Sequence, residues 1–188
     1  MIIDSHAHIY PDKIAHKAAR SIGDFYDIDM NLDGTVDMLL KVGDEAGVDK
    51  FLVHSVATTP HQVRSINSFI AKSVSEHPDR FIGFATLHPD CGDEIPEIVD
   101  EAISLGLDGI KLHPDFQKFD IDSPEAMRMY EVLEGRLPIL FHTGDYRTQY
   151  SKPTKIIKVL ERFPKLDIIA AHFGAWSEDR KSVGRERV

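Results

Sequence analysis

Short runs of β-branched and aromatic residues alternate with longer amphipathic segments along the whole chain, and this alternation constrains the fold more than any other feature. Predicted strands begin near residues 2, 50, 80, 107, 137 and 166, so that after the first interval they recur about every 30 residues. Some of these runs, such as Ile168-Ile169-Ala170-Ala171, are apolar throughout, as expected where both faces of a parallel sheet are covered. The pattern therefore predicts an α/β fold made of consecutive βα units.

The predicted elements follow one another without a long gap. Strands are predicted over residues 2–9, 50–57, 80–87, 107–113, 137–142 and 166–172, and helices over residues 11–22, 35–46, 61–76, 93–104, 124–134 and 153–163. Thr35 is expected to cap the second helix and Gly47 to end it. A doubly wound sheet and a (β/α)8 barrel share this periodicity, so the pattern does not separate them. Two further units would bring the chain to about 250 residues, the usual size of a barrel.

The last eleven residues break the pattern. Between 178 and 188, seven residues are charged and only Val183 and Val188 are apolar. Such a segment cannot bury a face against a sheet. We therefore expect one domain over residues 1–177 and a charged tail over residues 178–188. The tail is either a disordered, solvated terminus or a segment that is not native to the fold, produced by a truncated or frame-shifted coding sequence.

The charge balance excludes two classes of partner. The chain has 22 Lys and Arg against 31 Asp and Glu, a formal charge of −9, whereas nucleic acids and anionic membranes bind clustered basic residues. No run approaches the roughly 20 apolar residues of a membrane helix, and the first residues lack the basic region of a signal peptide. The only cysteine, Cys91, cannot form an internal disulfide, and we interpret it as a structural or surface thiol. We expect a cytoplasmic protein.

The ten histidines are concentrated at the predicted strand ends. His6 and His8 lie with Asp4 on one face of the first strand, and four further strands end in His88, His113, His142 and His172. Each histidine alone is more often a hydrogen-bonded structural residue than a ligand, but nothing in core packing requires imidazole at the end of five of six strands. The carboxyl ends of parallel strands form the active face in βα architectures. Convergence on a metal ion explains the pattern.

A metal ion held by such residues would lower the pKa of a bound water to about 7, and a nearby histidine could move the proton. The predicted chemistry is metal-assisted hydrolysis or a related lyase reaction. Phosphate-binding, dinucleotide-binding and nucleophile-elbow motifs are absent from the sequence. Lys111 lies two residues before His113 on the same face of its strand and is a further candidate for the interior of the sheet. Alternatively, it pairs with a neighbouring carboxylate.

Four motifs in order resemble the amidohydrolase superfamily, specifically the amidohydrolase-2 group that includes the aminocarboxymuconate-semialdehyde decarboxylase-like enzymes. The motifs are Ile3-Asp4-Ser5-His6-Ala7-His8, Gly109-Ile110-Lys111-Leu112-His113-Pro114, Leu140-Phe141-His142-Thr143-Gly144, and Arg162-Phe163-Pro164 leading to Ala171-His172-Phe173-Gly174. The resemblance covers roughly residues 1–177 and implies an α/β (β/α)8 TIM-barrel fold, truncated here after the sixth strand. It also implies metal ligands at His6, His8 and His142 and a proton-handling residue at His172. Family members carry a metal-binding aspartate after the eighth strand, and no residue of this chain can be assigned that role.

Three functions remain open from the sequence. The first is a metal-dependent hydrolase that acts on a small organic molecule through a metal-activated water. The second is a nonoxidative decarboxylase of an unsaturated or aromatic carboxylic acid on the same scaffold. The third is a truncated, catalytically silent chain. For either enzyme we expect Lys111, His113 and Arg147 to bind substrate, although Arg147 is also interpretable as a solvated surface charge.

The expected cofactor is one divalent ion. Zinc is our prediction, and Mn, Fe and Co are alternatives because imidazole and carboxylate sites accept all four. The expected partner is a small-molecule substrate, with neither nucleic acid nor membrane. The unpaired edges of the first and sixth barrel strands predict low stability, self-association into a homo-oligomer, or a fold that closes differently.

Overall fold

The computed structural model describes residues 1–174 and residue 177. Its strands are β1 (Ile3–His8), β2 (Lys50–His54), β3 (Phe81–Thr86), β4 (Gly109–Leu112), β5 (Ile139–Phe141) and β6 (Ile168–Ala170). Its α-helices are α1 (Asp12–Tyr26), α2 (Val36–Ala46), α3 (Val63–Glu76), α4 (Ile95–Ser104), α5 (Pro114–Gln117), α6 (Pro124–Leu133) and α7 (Pro153–Arg162). Short 3-10 turns cover Pro60–Gln62, Pro89–Glu94 and His172–Gly174. The predicted order of elements is confirmed, with the four-residue helix α5 added.

The strand order identifies the type of α/β fold. All six strands are parallel and lie in the order β1-β2-β3-β4-β5-β6, so that each strand pairs with the next one in sequence. A doubly wound sheet reverses its strand order at a switch point, whereas a barrel does not. The TIM-barrel type of fold is confirmed. In this architecture the carboxyl ends of all six strands face the same side.

Local chemistry explains where the elements end. The Thr35 hydroxyl accepts a hydrogen bond from the Met38 amide at 3.3 Å, and Gly47 closes α2 in the left-handed conformation, as predicted. β2 ends at His54, three residues before the predicted boundary at residue 57. Beyond it the backbone bonds to side chains instead of to a neighbouring strand, and the Ala57 amide donates to the Thr86 hydroxyl at 3.2 Å.

Helix α1 extends to Tyr26, four residues past its predicted end. Ala15, Ala19 and Gly23 are its buried residues, and their spacing of four keeps one narrow face against the protein. The extra turn brings Tyr26 over the carboxyl ends of the strands, where it becomes part of the site.

The larger core lies between the sheet and the helices. It contains the outward-facing strand residues, such as Val53 and Ile110, together with the buried faces of α3, α4 and α6. A smaller cluster of Phe84, Leu140 and Ala171 lies elsewhere in the sheet. Gly109 makes room for it, because a Cβ atom there would lie 2.5 Å from the Phe84 ring. Lys111 is fully buried between these layers of strand residues.

The predicted tail, residues 178–188, lies outside the described residues, and so does the predicted domain boundary at its start. The tail therefore stays a prediction. Among the residues that the structure describes, none of the helices has the length and apolar character needed to cross a membrane.

Candidate active site

Every one of the six strands has a histidine at its carboxyl end or within two residues of it. These histidines are His8, His54, His88, His113, His142 and His172, and His6 joins them from inside β1. The sequence prediction found five of the six and missed His54, because β2 was expected to run on to residue 57. A prediction that ended β2 at a histidine, as the neighbouring strands do, would have found His54.

Three of the histidines form a compact group at the ends of β1 and β2. His8 and His54 are register partners on the two strands, and their ring centroids are 4.4 Å apart. The His6 ring lies 4.8 Å from that of His54 and 5.5 Å from that of His8. A shift in register between Asp4 and Ala7, a β-bulge, interrupts the alternation expected along β1. One potential ligand atom from each histidine lies within 4.8 Å of the others.

A second group of rings comes from the ends of β4, β5 and β6 and from Tyr26 of α1. The His113 and His142 rings stack with centroids 4.0 Å apart, and His142 Nδ1 is 3.1 Å from His172 Nε2. The Tyr26 hydroxyl lies 2.8 Å from His113 Nε2 and 3.3 Å from His142 Nε2. The His172 ring joins the two groups, since its centroid is 5.1 Å from that of His6.

The predicted metal ligands are therefore distributed over both groups. His6 and His8 are together with His54, whereas His142 contacts His172, His113 and Tyr26. His172 itself is exposed, and both it and Phe173 have positive φ angles of 58° and 53°. Left-handed backbone at two consecutive residues without glycine is strained, and such strain is typical of functional sites.

The Lys111 side chain is fully buried, and its charge acts on histidines of both groups. Its Nζ atom is 3.4 Å from His6 Nε2. Burial lowers the pKa of Lys111 to about 7. Within the described part of the chain no carboxylate lies within salt-bridge distance of Lys111, so the alternative interpretation of an ion pair with a neighbour does not describe this lysine.

Burial also sets the charge of the histidines. Desolvation, followed by the positive charge of Lys111, lowers the pKa of His6 to about 3. The same two causes lower the pKa of His142 to about 2, and burial first of all lowers the pKa of His8, His54 and His113. Neutral imidazole is the form of histidine that binds metal ions. The site is therefore a cluster of neutral nitrogen ligands around one amine.

The other predicted substrate residue, Arg147, is engaged by protein groups. Its guanidinium donates to both carboxylate oxygens of the buried Asp145, at 2.9 and 2.6 Å, and to the Phe25 carbonyl at 2.6 Å. It also lies 4.6 Å from the centroid of the Phe25 ring and 5.1 Å from that of Tyr26. These contacts hold the end of α1 over the sheet, and the substrate-binding role of Arg147 stays a prediction.

Two residues near the strand ends, His88 and Gln117 of α5, support the backbone around the site. His88 Nδ1 accepts a hydrogen bond from the Asp90 amide at 3.2 Å, so this histidine has the structural role that the sequence left open. Gln117, which the sequence prediction did not single out, accepts from the His113 amide at 2.8 Å. Its amide group donates to the carbonyls of Ala57 at 2.9 Å and Leu87 at 2.7 Å. Gln117 thus ties together the backbone beyond three strands.

A cavity of about 450 Å³ opens above the two histidine groups. Its polar floor contains His6, His8, His113, His142, His172 and Tyr26. Its wall is mainly apolar and comes from α1, α2 and the segment between them, with Ile22, Ile28, Met30, Leu32, Met38, Leu39 and Val42. Two carboxylates, Asp4 of β1 and Asp33, also line the cavity. An apolar wall over a small polar floor is the usual construction of a site for a small organic molecule.

The donor set fits a divalent metal ion. Imidazole nitrogens suit Zn, Mn, Fe and Co, and both ring nitrogens of His54 are buried without a hydrogen-bond partner within the described structure. A second group of potential ligands, Asp115, His142 and Asp145, also lies within 4.8 Å. Arg147 already neutralises Asp145 there, which makes the all-histidine group the better metal site.

A barrel-type sheet with a histidine cluster at the carboxyl ends of its strands defines the class of TIM-barrel metalloenzymes. The amidohydrolase family model Amidohydro_2 matches residues 3–185, and the chain belongs to this family. This match confirms the resemblance seen in the sequence motifs. The family consists of metal-dependent enzymes and includes hydrolases and carboxy-lyases.

Known proteins similar to this chain include a curated 2-amino-3-carboxymuconate-6-semialdehyde decarboxylase from Dictyostelium discoideum. It is 34% identical over 70 residues, which are 37% of this chain and 20% of that protein. An uncharacterized TIM-barrel protein from Bordetella bronchiseptica superposes with a TM-score of 0.72 at 17% identity, over 99% of this chain and 72% of that one. A 5-carboxyvanillate decarboxylase from Novosphingobium aromaticivorans, with bound manganese and a nitrobenzoic acid, gives a TM-score of 0.66 at 15% identity, over 89% of this chain and 64% of that one. The chain thus spans one fifth of the curated relative and roughly two thirds of the solved structures.

Proposed function

We propose that this chain catalyses the nonoxidative decarboxylation of an aromatic or other unsaturated carboxylic acid at a divalent metal ion. The observation that carries the proposal is Lys111, a fully buried lysine at the centre of the site with no carboxylate beside it in the described residues. Buried lysines are normally paired with an acid. A substrate carboxylate would supply the missing partner.

The cavity favours the same substrate class. Lys111 does not line the cavity itself, but its Nζ atom is 3.4 Å from Nε2 of His6, which does. A carboxylate bound at this part of the floor would leave the body of the substrate against the wall formed by α1, α2 and the segment between them. A flat unsaturated or aromatic body buries apolar area there without requiring further polar partners. His113, whose ring stacks on that of His142, offers an aromatic surface at the floor.

The metal ion would be held by the predicted ligands His6 and His8 at the end of β1, with His142 as the predicted ligand from β5. When bound, the ion supplies a Lewis acid that polarises oxygen atoms of the substrate. Zinc remains our prediction for the ion. A cytoplasmic location and a homo-oligomeric state also remain predictions.

The reaction requires one bond to break and one to form. The bond between the carboxylate carbon and the unsaturated carbon breaks, CO2 leaves, and the electron pair stays on the unsaturated carbon. That carbon then takes a proton, which we assign to His172. The exposed His172 ring can exchange protons with water, and its contact with His142 at 3.1 Å orients the imidazole towards the cavity.

The metal-dependent hydrolase that the sequence favoured is not confirmed. Two of the three similar proteins described above are decarboxylases, and a carboxylate-binding lysine has no evident task in the hydrolysis of a neutral ester or amide. We therefore place the decarboxylase first.

The test is product analysis on the metal-loaded 188-residue chain. A panel of aromatic and unsaturated acids is assayed for CO2 release, and matched esters, lactones and amides are assayed for acid production. We expect metal-dependent CO2 release that Lys111→Met reduces mainly through a higher KM, while Lys41→Met, a change at an exposed lysine of α2, leaves it unchanged. Hydrolysis of the neutral panel without CO2 release would overturn the proposal in favour of the hydrolase.

A further inference from the structure

His54 at the end of β2 has an unusual environment for a histidine. Its side chain is fully buried, yet neither Nδ1 nor Nε2 has a hydrogen-bond partner in the described structure. A neutral imidazole carries one N–H donor and one acceptor lone pair. Leaving a buried polar group unpaired costs about 1–3 kcal/mol, so His54 destabilises the fold unless another group binds its ring nitrogens.

Ring packing does not account for the histidine. The His54 ring meets those of His8 and His6 edge to face, at centroid distances of 4.4 and 4.8 Å. Phenylalanine would make the same contacts without two unpaired nitrogens. The contacts therefore explain an aromatic ring at this position and leave its nitrogens without a role.

The neighbours of His54 supply the missing role. His6, His8 and His54 each place a potential ligand atom within 4.8 Å of the other two. His8 and His54 are held by the pairing of β1 with β2, so their separation is fixed by the sheet and not by a loop. The family resemblance names His6, His8 and His142 and is silent about His54.

We infer that His54 is a metal ligand and completes a three-histidine site with His6 and His8 across β1 and β2. The inference deepens the proposed function and rests on its metal ion. With this set, β1 and β2 alone supply three imidazole ligands to the metal ion, and none of the three comes from a later strand. His142, the predicted ligand from β5, would supply a fourth bond, and catalytic zinc can expand to five ligands to admit a further atom.

Zinc binding to the metal-free 188-residue chain tests the assignment. The zinc affinity is measured by competition with a chromogenic chelator, and the number of imidazoles around zinc is counted by X-ray absorption. The variants are His54→Phe, which keeps the ring packing, His54→Leu, and the control His16→Leu on the exposed face of α1. His6→Leu, which removes a ligand of the proposed function, is measured in parallel.

We expect His54→Phe and His54→Leu to lose one imidazole from the zinc shell and to weaken zinc binding by at least the 10–100-fold that loss of a second-shell partner costs. The metal-free variants should be as stable as the parent or more so, because each removes two unpaired buried nitrogens. A purely structural His54 predicts the reverse, with lower stability of the metal-free protein and unchanged zinc affinity.

The outcomes separate the two hypotheses. Tight zinc binding that His6→Leu abolishes and both His54 variants preserve would overturn the role of His54 and leave the proposed function standing. A parent chain that is folded and binds no zinc would overturn both. Loss of zinc in the His54 variants with unchanged His16→Leu supports both.

Discussion

Gln117 holds the carboxyl ends of three strands in place, and its removal should be one of the most damaging single changes outside the metal site. Its side chain is buried and satisfies three backbone groups at once, the His113 amide and the carbonyls of Ala57 and Leu87. Gln117→Leu keeps a similar volume and leaves all three groups without a partner. Each unpaired buried group costs about 1–3 kcal/mol, so the three costs add. We expect the free energy of unfolding to fall by about 3–5 kcal/mol, near the low end of the sum over the three groups.

Urea and thermal unfolding of the metal-free chain measure this loss. For a domain of about 190 residues, 1 kcal/mol corresponds to about 2–4 °C, so the melting temperature should fall by about 6–20 °C. The exposed Gln149 provides the matched control, and Gln149→Leu should change the free energy of unfolding by less than about 0.5 kcal/mol. A loss below about 1 kcal/mol in Gln117→Leu would refute the reasoning, since it would mean that the three backbone groups find other partners.

Four further outcomes are expected. Thr35→Ala removes the cap of α2 and should cost about 1 kcal/mol in urea unfolding, with no change in zinc affinity. Gly109→Ala places a Cβ atom 2.5 Å from the Phe84 ring and should cost about 1–3 kcal/mol by overpacking. Burial lowers the pKa of Lys111 to about 7, so between about pH 7 and 10 the unfolded chain binds one proton more than the folded chain. The free energy of unfolding of the metal-free protein should therefore rise with pH in this range, by a little more than about 1 kcal/mol per pH unit. Lys111→Met should remove that rise. Removal of zinc by a chelator, from a starting concentration of about 100 times Kd, should lower the melting temperature by about 5–10 °C.

The fold could be predicted from the sequence because its signal is repeated. Six apolar runs recur, and each of the first five is followed by an amphipathic segment, so the same βα unit is indicated several times over. An error of two or three residues at one boundary does not change the count. The strand order could not be predicted, since periodicity reports on each segment alone and pairing depends on contacts between segments. The order β1 to β6 was the fact that separated a barrel from a doubly wound sheet.

The candidate site was predictable in part for the same reason. A histidine at the end of a strand can be located from the sequence, and five such positions were identified. His54 was missed because the apolar run of the second strand continues to Ala57, so composition places the strand end three residues too late. The strand ends earlier because the Ser55 hydroxyl donates to the Ile9 carbonyl and the Ala57 amide donates to the Thr86 hydroxyl, and both partners are distant in sequence.

The same limit applies to Lys111 and decides how far the chemistry can be argued. The sequence places this lysine on the inner face of β4 and leaves open whether an acid neutralises it. The structure places its Nζ atom 3.4 Å from His6 Nε2, and its positive charge is one cause of the lowered pKa of His6 and His142. A buried amine among nitrogen ligands, next to an apolar wall, is stable only when an anion or a neutral amine form removes the uncompensated charge. Burial favours the neutral amine, and a nearby substrate carboxylate would favour the ammonium, so under the proposed function Lys111 would discriminate between acids and the neutral esters and amides that a hydrolase would bind.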